Sequence, residues 1–164
     1  MKCPAWLLLS LVLGASAANA APPELVVSEP WVRMVPQNAA TTALFFKLKN
    51  GSASDVRLVG AATPAARVAE LHEHLHENGM MKMRKVPFIE VKAHGDVSFQ
   101  PGGLHVMLIG LVSPLKAGDK VTVTLQMADK STLTLMAPVS EGPPAATKVA
   151  PPSSPTATAP GSAG

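Results

Sequence analysis

Between Glu24 and Val139 the apolar residues come in short runs, and a turn-forming cluster ends most of them before they reach helix length. Leu25 to Val27 and Trp31 to Val32 read as extended, with Pro30 restricting the backbone of Glu29 before it. Thr41 to Leu48 is rich in β-favouring residues and stops at Asn50-Gly51-Ser52; Val56 to Ala61 then resumes. Met80 to Val86 alternates imperfectly and ends at Pro87. Phe88 to Val91 and Val97 to Phe99 flank a turn at Ala93 to Asp96, and Pro101-Gly102-Gly103 breaks the chain before Leu104 to Leu111. Val121 to Met127 and Thr132 to Met136 alternate around Ala128 to Ser131, which predicts a hairpin. Regular short strands with turns between them predict an all-β fold, a Greek-key β-sandwich or barrel.

The two ends read differently from this middle. Lys2, the apolar run Trp6 to Gly14 and Ala18-Asn19-Ala20 have the form of a signal peptide over residues 1–20, with cleavage after Ala20. That predicts export, to the periplasm, and no membrane insertion, because the apolar run is too short to span a bilayer comfortably. Cys3 is the single cysteine and precedes the cleavage site, so the mature chain would have neither disulfide nor thiolate ligand. Residues 21–141 then form one domain. Residues 142–164 are Pro, Ala, Ser, Thr and Gly around Lys148 and Val149, too poor in large apolar groups to offset chain entropy, which predicts a disordered tail. The formal charge of +3 includes Lys2, the positives are scattered and Tyr is absent. No basic stripe with aromatic partners is present, so nucleic acid is excluded as a partner.

Four donors from separate segments carry the chemistry: His72, Met83, His105 and Met107, spaced H-x10-M-x21-H-x-M. Thioether sulfur is soft and uncharged and suits Cu(I), whereas zinc, calcium and magnesium prefer other donors. Imidazole is mostly deprotonated at neutral pH and adds a basic nitrogen. A strand over Leu104 to Leu108 would send Leu104, Val106 and Leu108 into the core and His105 with Met107 to the other face. Met81 and Met83 would likewise share one strand face, with Met80 on the other. The plain reading of each piece is a surface histidine and packing methionines; only the combination argues for copper.

His72-Glu73-His74-Leu75-His76 also satisfies H-E-x-x-H, in which two histidines one helical turn apart bind zinc and Glu73 is the general base of a metallopeptidase. A strand would instead put His72, His74 and His76 on one face. The short stretch before Asn78-Gly79 and the want of a nearby third ligand favour the strand. No nucleophile or acid/base pair stands out elsewhere, so no catalysis is expected.

The spacing, together with Trp31-Val32-Arg33, Ala43 to Asn50, Glu70 to Glu73, Asn78 to Arg84, Pro101 to Leu108 and Gly118-Asp119, resembles the periplasmic copper chaperones of the PCuAC family over roughly Glu24 to Val139. The resemblance implies a cupredoxin-like β-sandwich binding Cu(I) through His72, Met83, His105 and Met107. It implies delivery of copper to the dinuclear copper site of cytochrome c oxidase, with the copper-acceptor subunit and a thioredoxin-like copper assembly protein as partners. A copper buffer or resistance protein without a dedicated acceptor is the alternative. The family often has Met where this chain has His74. His74 and His76 are accordingly either auxiliary Cu(II) ligands at a nitrogen-rich rim or solvated surface groups, and the sequence leaves both open. His94, beside Gly95, reads as solvated.

Overall fold

The computed structural model describes residues 24–77 and 79–143, with only the backbone of His76. The expected signal peptide and nearly all of the expected tail lie outside the described residues. Within them there is no helix, and hence none long and apolar enough to cross a membrane. Ten strands follow in order: β1 Leu25–Arg33, β2 Thr41–Asn50, β3 Val56–Ala62, β4 Ala66–Glu77, β5 Met80–Lys85, β6 Ile89–Val91, β7 Asp96–Phe99, β8 His105–Leu111, β9 Lys120–Met127 and β10 Thr132–Ser140.

They form two layers. The first runs β5-β4-β8-β2-β1, with β7 beside the C-terminal half of β2; the second runs β10-β9-β3-β6. A short parallel pairing of β1 with β10, at Val32–Val139 and Arg33–Ser140, joins them. Alternate residues of each strand meet in the middle: Leu44, Phe46, Leu48, Val106 and Leu108 from the first layer, Leu58, Val123, Leu125 and Val139 from the second. Phe46 stacks on Phe99 with ring centroids 4.1 Å apart. This is the β-sandwich that the run lengths predict.

Two local features add to the sequence reading. Phe88 to Val91 and Val97 to Phe99 do not close a hairpin: β6 pairs with β3 and β7 with β2, so the turn between them crosses from one layer to the other. Asn50 anchors the crossing. Its buried amide donates to the carbonyls of Val91 and Lys92, and its backbone N–H bonds the Gly95 carbonyl at 2.8 Å. The last strand also runs four residues past Met136, through Pro138. Val139 N–H points to the β9 side, bonding Asp119. The missing donor of Pro138 therefore falls on the opposite edge, where β10 has not yet met β1, and costs no ladder bond.

Candidate metal centre

The β5–β4–β8 register assembles the site. His72 lies opposite His105, Glu70 opposite Met107 and His74 opposite Met83, and Ala43 of β2 flanks Met107 on its other side. Cross-strand partners share a face. His72, His74, Met83, His105 and Met107 therefore stand together on the face of the first layer turned away from the core. The ring of His74 stacks on that of His105 at 4.9 Å, and His72 approaches His105 at 5.8 Å. Met83, His105, Met107 and His74 line one cavity of about 220 Å³, with Phe45 and Pro101 also on its walls. His72 borders His105 from the directly opposite register position instead. Met83 is about half exposed, at 47%, on the edge strand β5, whose Met80 and Met81 are also exposed.

His105 is no surface histidine. Only 2% of it is exposed, although it points away from the sandwich core. The strand alternation explains the direction, and the aromatic cover explains the burial. Phe45 lies 6.3 Å from its ring and Trp31 packs on Phe45 at 4.7 Å, so β2 is apolar on both faces here. Sequence reasoning missed this cover, although Leu44-Phe45-Phe46 is a continuous apolar run of the kind that marks a strand buried on both sides.

The hydrogen bonds decide which nitrogens are left over. His105 Nδ1 lies 3.0 Å from the Gly103 carbonyl, which can only accept, so Nδ1 carries the proton and Nε2 the lone pair. Gly102, at φ +80°, makes the tight turn that brings this carbonyl beneath both histidine strands, and it accepts from the His74 backbone N–H as well. His72 Nε2 donates to a Glu70 carboxylate oxygen at 3.0 Å, which leaves the lone pair on its Nδ1. Glu70 also holds Lys85 at 2.6 Å; that ion pair, and then His72, keep its carboxyl below the usual range. Glu70 was not singled out as a site residue, yet it sits two positions before His72 on the same strand face. In the result His72 Nδ1, His74 Nδ1 and His105 Nε2 are buried without a partner. Buried polar atoms left unpaired cost about 1–3 kcal/mol each, a cost that a group accepting their lone pairs would remove. A soft cation fits, with two thioethers at hand.

Among the described residues no three His, Cys, Asp or Glu side chains hold a metal as they stand. A four-donor set needs the methionine sulfurs. The zinc reading fails on geometry. H-E-x-x-H lies in β4, where residues four apart are about 13 Å apart along the strand. Glu73 faces the other way, bonded to Arg84 at 2.6 Å. His94 is exposed in its turn, as read from the sequence.

Burial pushes the His105 pKa below its ordinary 6.5, with the Gly103 bond acting against it and His74 and His72 acting with it. The sign of the consequence is definite. Unfolded His105 takes up a proton near pH 6.5 and folded His105 resists it, so below that pH the unfolded state binds more protons. The contribution is complete above about pH 6.5 and is lost as pH falls toward the folded pKa. Urea unfolding of the metal-free protein should give a plateau above that value and stability that declines as pH falls below it. A His105→Gln variant should lose that part of the slope; an unchanged slope would contradict a buried neutral His105.

Comparison with known proteins bears on the family and the fold. The model of the LpqE-like family, described as "Putative lipoprotein LpqE-like", matches residues 25–139. A relative from Leifsonia xyli subsp. xyli (strain CTCB07), "Putative lipoprotein Lxx21020", is 36% identical over 116 residues, 70% of this chain and 69% of its own. The solution structure of CuI-DR1885 from Deinococcus radiodurans is 38% identical with a TM-score of 0.61, over 77% of this chain and 85% of that one. The copper-bound PCuAC domain from PmoF2, at 21% identity and a TM-score of 0.59 over 70% of this chain and 91% of its own, shares the fold.

Proposed function

This chain belongs to the LpqE-like family and has the cupredoxin-like fold of PCuAC domains, and from that membership and the donor face we propose that it is an exported Cu(I) chaperone, not an enzyme. One observation carries the reading: His72 Nδ1 and His105 Nε2 are buried and partnerless on the face that also bears Met83 and Met107. These four residues are the Cu(I) ligands. The copper-loaded form named for the Deinococcus relative supports a copper cargo.

The division of labour follows from placement. His105 is rigid: its ring is clamped by the Gly103 carbonyl below and by Phe45 and His74 around it. His72 is oriented through Glu70, as an outer-shell carboxylate does for a ligating imidazole. Met83 sits at the exposed edge, on a side chain with three rotatable bonds, where an incoming ligand could displace it first. Neutral thioethers need no proton to leave, so release needs no acid. A firm inner pair and a loose outer sulfur suit a protein that must both hold copper and give it up.

The acceptor we propose is the dinuclear copper site of cytochrome c oxidase, with a thioredoxin-like assembly protein alongside, and the compartment the periplasm, after removal of residues 1–20. Family relatives named as lipoproteins support export. Mixing the Cu(I)-loaded protein anaerobically with an apo fragment of the oxidase copper subunit should move copper to the fragment faster than an equal concentration of Cu(I)–chelator complex does. Transfer no faster than from the chelator would favour a copper buffer without a dedicated acceptor.

A further inference from the structure

The Cu(I) set uses two imidazole nitrogens, but three are left unpaired on this face. The third, His74 Nδ1, has less need than the others to be there. His74 lies opposite Met83 in the register, beside the cavity, with its ring against that of His105 at an interplanar angle of 27°. An ordinary rim histidine turns both nitrogens to water or to a hydrogen-bond partner. His74 Nδ1 is buried and has neither, at a cost that a ligand would remove.

We propose that His74 is a third imidazole ligand and that the same pocket also holds Cu(II), through His72, His74 and His105. The proposal rests on the copper reading above and deepens it. Cu(II) prefers nitrogen donors and a tetragonal arrangement, whereas the thioethers select Cu(I). The three rings do not yet converge, since His74 lies flat on His105. The terminal torsion of histidine is broad, and the cavity beside Met83 gives the ring room to turn. Either oxidation state would then be held at one site, Cu(I) by the two sulfurs and the imidazoles, and Cu(II) with His74 nitrogen in place of sulfur.

The test counts nitrogens. The purified protein is loaded with one equivalent of Cu(II) and studied by pulsed electron paramagnetic resonance, beside His74→Ala, His74→Gln and His76→Ala; folding of each is checked by circular dichroism. Three equatorial imidazoles are expected in the wild type and two in both His74 variants, with Cu(II) affinity lower by about tenfold or more. Two or fewer imidazoles in the wild type would overturn the proposal, and so would a three-imidazole signal that survives in the His74 variants or is lost only in His76→Ala. A separate anaerobic Cu(I) titration of the wild type keeps the two readings apart. No Cu(I) binding would sink the chaperone reading itself, whereas Cu(I) binding with a two-imidazole Cu(II) signal would sink only the role of His74.

Discussion

Replacing Met83 and Met107 together by leucine should lower Cu(I) affinity by about 100-fold or more, about 2.8 kcal/mol, in an anaerobic titration against a chromogenic chelator. Leucine nearly conserves volume, and such exchanges usually cost less than about 1.5 kcal/mol of stability even in cores. Met83 is about half exposed and Met107 half-buried on the face away from the core, so the fold should tolerate both changes. What the substitution removes is soft donor character alone. Two neutral imidazoles would remain, a pair that Cu(I) shares with zinc and Cu(II), and selectivity should fall along with affinity. Equal binding by both proteins would mean that the histidines hold the metal by themselves, and the four-ligand set would be wrong.

The other large effect is on stability. Phe46→Ala should cost about 3–5 kcal/mol in denaturant unfolding. Phe46 is 1% exposed, stacks on Phe99 of β7 and lies between the two layers. Leu44 and Leu48, on the same strand face, are themselves fully buried. A loss of that size is a large share of the total stability of a domain this small. Copper at a hundred times its dissociation constant should return about 2.7 kcal/mol, provided the unfolded chain does not bind it. A cost below about 1 kcal/mol would mean that the layers do not pack through Phe46.

Phe45 and Phe46 illustrate what could be read in advance. Their presence in a β-favouring run predicted a strand, and alternation put Phe46 in the core. Which neighbours would cover Phe45 on the other side could not be read from the run, since Trp31 and His105 come from strands far away in sequence. The same holds for the turn at Ala93 to Asp96. Its residues announce a reversal, but whether the flanking strands pair with each other or with separate layers depends on partners outside the segment.

The strand runs, their breakers, the two-residue offset of His105 and Met107 and the soft character of the donor set follow from the sequence alone, because side-chain periodicity and ligand chemistry are local properties. The ambiguity of His72 to His76 also resolved as the sequence favoured, into a strand. Only the tertiary structure decided that His105 is buried, that Glu70 and Gly103 fix which nitrogen each histidine presents, and that His74 leaves a third lone pair unpaired. Those outcomes depend on cross-strand register and on what packs over each face, and both are set by contacts between segments that no local pattern encodes.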